Sequence, residues 1–110
     1  MLLVSLVIFC CENEKNNQYE VGYQVTSSPG DDIFLRVSYS TPSGLDSVYI
    51  MVDENGQWAG PSFVYQTGNI VHLELIHCGG KPQCHGYIYL DGTEVAHCEG
   101  EGDRCIFLVP

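Results

Sequence analysis

The sequence predicts an all-β protein: one antiparallel β-sandwich of seven to eight strands, immunoglobulin-like in layout. Three observations predict it. Short runs rich in Val, Ile and Tyr recur at regular spacing, many alternating apolar with polar residues. Turn residues such as Pro-Gly, Asn-Gly and Asp-Gly separate the runs. No stretch sustains a helical period.

Each element has its own justification. YEVGYQVTS (19–27) places Tyr19, Val21, Tyr23 and Val25 on one face. SSPGDD turns into IFLRVSYS, where Ile33, Leu35, Val37 and Tyr39 alternate with Phe34, Arg36 and Ser38. TPSG turns into SVYIMVD, which is apolar almost throughout and reads as a central strand. ENGQ reads as a hairpin turn, because Asn-Gly tolerates the positive φ values of a tight turn. WAGPSFVYQ is interrupted by Gly60-Pro61, which suits an edge strand. TGN leads into IVHLELIHC, and GGKPQ into CHGYIYL. Asp91-Gly92 leads into TEVAHC, and EGEGD into RCIFLVP.

At 110 residues the chain fits one domain with a small core. Its net charge of −10, with four basic residues, excludes a basic stripe for nucleic acid and a patch for anionic lipid. Solubility accounts for the acidity, with attraction of cations as the lesser reading.

Leu2–Phe9 is an uncharged apolar run, too short to span a bilayer. It reads as the hydrophobic part of a secretory signal. Ile8-Phe9-Cys10-Cys11 resembles a bacterial lipoprotein box, with Cys11 acylated and Cys10 the small residue before cleavage. Cys10 is the alternative acylation site. Phe9-Cys10-Cys11 is similar to the Phe-Ser-Cys of lipoproteins from Bacteroidetes-type bacteria. The expected organisation is a lipoprotein signal peptide (1–10), a flexible tether (11–18) and the sandwich (19–110). The expected address is the bacterial cell envelope: an outer-membrane lipoprotein, periplasmic or surface-exposed, held to the membrane by its lipid.

Two stretches carry the cysteine chemistry, HCGGKPQCH (77–85) and HCEGEGDRC (97–105). Cys78, Cys84, Cys98 and Cys105 with His77, His85 and His97 have ligand types that suit zinc or copper. The spacings are C-x5-C and C-x6-C, not the shorter knuckles of structural zinc sites. Strand alternation also sends neighbouring residues to opposite faces, so His77 and Cys78 in regular strand cannot reach one ion. The metal set is therefore the alternative reading, and no cofactor is expected. An even number of cysteines in an exported domain favours disulfides. In an up-and-down chain all four fall at one end, and three pairings are possible. Sequential pairing, Cys78–Cys84 with Cys98–Cys105, is favoured, and each closure stabilises by roughly 2–3 kcal/mol.

Other candidates are weaker. Asp31 with Asp32, and Glu99, Glu101 and Asp103, read as solvated turns rather than a calcium loop. No nucleophile elbow and no glycine-rich loop before a helix is present, so no enzyme is expected. Trp58, Tyr65, Tyr87 and Tyr89 suit cross-strand packing, or else a face that binds polysaccharide or a protein strand.

The order of YEVGYQVTSS, IFLRVSY, TGNIVHLEL and CHGYIYLDGTEVAH, with Cys105 near the end, resembles the small MmpS-type domain. That family is named for mycobacterial small membrane proteins and is similar to domains of Bacteroidetes lipoproteins. The resemblance implies a small β-sandwich accessory protein that works beside a large transporter. It also implies Cys84–Cys105 as an alternative bridge between two strands. The chain lacks the family's Leu-Pro-Trp segment, and Cys78 and Cys98 are additions. The resulting expectation is a non-enzymatic envelope module that holds a protein partner. The alternative is a metal-binding envelope protein using Cys and His at the loop end.

Overall fold

The structure, a computed structural model, describes residues 18–27, 34–52, 55–79 and 83–110. The expected signal peptide, Cys10, Cys11 and the tether through residue 17 lie outside these residues, as do Asp31 and Asp32. Eight strands follow in order: β1 (Gln18–Ser27), β2 (Phe34–Thr41), β3 (Gly44–Met51), β4 (Gln57–Gln66), β5 (Ile70–His77), β6 (Cys84–Leu90), β7 (Thr93–Glu99) and β8 (Arg104–Leu108). The fold class is as expected, an all-β sandwich. Sheet A has the order β4-β1-β6-β7, and sheet B the order β3-β2-β5-β8. All neighbouring strands are antiparallel.

Alternation builds the core between the sheets. Sheet A sends in Val21, Tyr23, Val25 and Ile88; sheet B sends in Leu35, Val37, Tyr39, Val71, Leu73 and Leu75. The Tyr23 hydroxyl donates to the Ser40 carbonyl at 2.8 Å, a buried hydrogen bond from one sheet to the other. Tyr23, Tyr39 and Trp58 pack in series, with ring centroids 5.3 and 6.1 Å apart.

Two expectations change. SVYIMVD is not a central strand. Its first five residues, Ser47 to Met51, form the second part of β3, which pairs with β2 alone and closes the edge of sheet B. Only Ile50 of β3 is fully buried, while Tyr49 and Met51 stand in solvent. The apolar run there alternates inward and outward instead of being covered on both faces. Arg36 covers part of the outward side, its guanidinium 5.5 Å from the Tyr49 ring centre. ENGQ is likewise not a hairpin turn, because β3 and β4 lie in different sheets. Gly56 does take a positive φ, 75°, as Asn-Gly suggests.

The β4 edge is as expected. Gly60 and Pro61 sit opposite the single residue Tyr23, a bulge that frees proline from donating to the ladder. The β6–β7 hairpin turns at Asp91-Gly92 with φ of 48° and 84°, a turn of the mirror-image type. Below it Tyr89 pairs with Glu94 but Ile88 pairs with Ala96, so Val95 is an extra residue in β7.

Candidate functional site

Beyond the Val95 bulge, β6 and β7 sort their side chains by chemistry. Cys84, Gly86 and Cys98 are buried, while His85, Tyr87 and Tyr89 are half-exposed and His97 is exposed. Tyr87 stands opposite His97, and His85 opposite Glu99. The outward rings form a continuous strip on sheet A. Tyr87 stacks on His97 with centroids 4.8 Å apart and planes 3° apart. His85 stacks on His97 at 5.1 Å, and Tyr89 follows Tyr87 at 6.3 Å. His85 Nδ1 lies 2.9 Å from His97 Nε2. The Tyr89 hydroxyl donates to Gln24 Oε1 at 2.9 Å, which ties the strip to β1. Burial and the nearby Glu94 push the Tyr89 phenol up from the ordinary tyrosine range.

The cysteines gather beneath this strip, at one end of the sandwich. A disulfide joins Cys78 to Cys84, with Cα atoms 6.2 Å apart. Cys98 and Cys105 are buried thiols, their sulfurs 3.3 Å apart, one in each sheet. The structure thus brings the second sequential pair together as a dithiol rather than a bridge, and Cys84 is bonded to Cys78 rather than to Cys105. The Cys105 thiol donates to Cys98, which lowers the Cys98 pKa and, with burial, raises that of Cys105.

The seven-residue metal set does not converge. The cysteines face the interior, and His77 lies apart from the other two histidines, its Nδ1 3.1 Å from Glu101 Oε1. Among the described residues no group of three or more His, Cys, Asp and Glu side chains is arranged to hold a metal. The acidic loop is used internally. Glu101 also accepts from the Cys78 amide at 2.8 Å, and Asp103 accepts from the Glu99 amide at 2.9 Å.

At the opposite end a cleft of about 420 Å³ lies between the β2–β3 and β4–β5 turns. Thr41, Pro42, Tyr65, Gln66 and Asn69 are among its walls, and among the described residues no carboxylate, imidazole or amine lines it. Of the aromatics singled out in the sequence, Trp58 and Tyr65 pack inward, while Tyr87 and Tyr89 share the outward strip. The sequence reading names His85 and His97 only within the seven-residue metal set; that these two stand together, apart from His77 and the cysteines, escaped it. Comparison with protein-family models, curated proteins and solved structures returns no match.

Proposed function

We propose that this chain is an envelope-anchored bacterial lipoprotein whose sandwich is a non-enzymatic binding or accessory module. The observation that carries the reading is the strip of His85, Tyr87, Tyr89 and His97 on the outer face of sheet A. Flat, stiff, amphipathic rings give large contact area at small entropic cost. Gln24, Glu94 and Glu99 supply a polar rim around them. A protein partner in the envelope is the occupant this face suits, and the net charge of −10 argues against nucleic acid. The MmpS-like order of motifs points the same way, towards an accessory role for a transport or surface complex. Acylation at Cys11 supplies the anchor.

A photo-cross-linking residue placed at Tyr87 in cells tests the contact face. A discrete adduct from position 87, with none from Tyr49 on the other sheet, is expected. Equal labelling at both positions, or none at 87, refutes it. Metabolic lipid labelling tests the anchor: Cys11→Ser loses the label, and persistent label refutes acylation there. The second reading, a metal-binding envelope protein, is favoured by the approach of His85 to His97.

A further inference from the structure

Two metal-ligating side chains converge outside the cysteine-lined interior. His85 Nδ1 and His97 Nε2 stand 2.9 Å apart on the outer face of sheet A. At that spacing one ring donates its N–H and the other accepts. We propose that the pair is a two-histidine site for a divalent cation of the copper class, with those two nitrogens as ligands.

The ligand type favours this class. Imidazole nitrogen suits copper, nickel and zinc, and copper binds the tightest of these divalent ions. The 2.9 Å between the two nitrogens is the length of the hydrogen bond they share, which a bound ion would replace.

The sheet holds the two rings for this purpose. They come from neighbouring strands, offset diagonally by two residues, since Glu99 is the direct partner of His85 and Tyr87 that of His97. The Tyr87 ring, 4.8 Å from that of His97, restricts its rotation. Glu99 faces His85 across the strand pair, and its carboxylate adds negative potential to that already set by the chain's charge of −10. Ligation requires both facing nitrogens to be bare. The donor ring moves its proton to its other nitrogen, so both rings stay neutral and no net proton is released. Solvent supplies the remaining positions, since no third protein ligand converges among the described residues. The buried thiols take no part. The inference does not rest on the partner-binding reading, because metal binding is measured on the purified chain alone.

The test is a titration of the full chain, carrying no histidine tag, with Cu²⁺, followed by calorimetry and electron paramagnetic resonance. One Cu²⁺ per chain with couplings to two imidazole nitrogens is expected. His85→Asn and His97→Asn each weaken binding by at least about tenfold, while His72→Asn and His77→Asn leave it unchanged. Ni²⁺ binds more weakly than Cu²⁺ at the same two residues. Absence of one-to-one binding, a spectrum with couplings to other than two imidazoles, or affinity that survives either substitution overturns the proposal. The spectrum of the unsubstituted chain decides the case even where a variant folds poorly.

Discussion

Gly86→Ala separates two opposing effects in one substitution. Gly86 faces inward from β6, directly opposite Cys98. A methyl group there would meet the Cys98 sulfur at 2.8 Å, Leu73 Cδ2 at 2.8 Å and Leu75 Cδ2 at 3.3 Å. Alanine stiffens the unfolded chain, which favours folding by about 0.4–1 kcal/mol. Overpacking a filled core costs about 1–3 kcal/mol. Two of the contacts come from opposite sheets, so the methyl acts as a wedge, and the second effect wins by about 1 kcal/mol. For a domain of this size that lowers Tm by roughly 4–8 °C. Thermal unfolding followed by circular dichroism measures it. Adding Cys98→Ala removes the sulfur and relieves one contact, so the double variant loses less than the sum of the singles by about 0.5 kcal/mol or more. A Tm unchanged or raised in Gly86→Ala refutes the packing argument, and strict additivity refutes the assignment of Cys98 as the obstacle.

Three further outcomes are expected. Cys78→Ser lowers the stability of oxidised protein by roughly 2–3 kcal/mol and leaves reduced protein unchanged, which paired melting curves check. A mild disulfide oxidant joins Cys98 to Cys105, read as a loss of two hydrogens by intact mass; equal alkylation before and after treatment counts against it. Tyr23→Phe removes the inter-sheet hydrogen bond to Ser40 and costs about 1 kcal/mol near neutral pH. Burial, then the neighbouring Tyr65, raises the Tyr23 pKa above that of an unfolded tyrosine. The folded state therefore keeps the proton longer, and stability is full below about pH 10 and falls as pH rises beyond it. Urea unfolding across that range detects a shallower decline in the phenylalanine variant, and an identical slope disproves the role of Tyr23.

Much of the fold is legible because strand alternation is local. The inward set Val21, Tyr23, Val25, Leu35, Val37 and Tyr39 follows from period two alone. The edge at Gly60-Pro61 is legible because proline cannot donate. Strand partnership is not local. The chain changes sheet at every connection except β2–β3 and β6–β7, so Asn-Gly marks a turn without naming its neighbours. The His85–His97 approach is hidden for a related reason. Counting back from Asp91-Gly92 without a bulge pairs Gly86 with His97 and His85 with Cys98. Val95 shifts that register by one, turning Cys98 inward and His97 outward. Nothing in the composition of TEVAHC announces the extra residue.

The direction of β1 has its own consequence. Ser27 pairs with Cys84, at the cysteine end, while Gln18 pairs with Gln66, at the end that holds the cleft. The chain therefore enters about 30 Å from the disulfide. Val109 exchanges backbone hydrogen bonds with the Gly68–Asn69 turn, so the chain leaves at the entry end too. Gln18, Pro42 and Gly68 therefore share one end of the molecule. The Cys78–Cys84 bridge lies at the other, with His85 and His97 in the far, solvent-facing third.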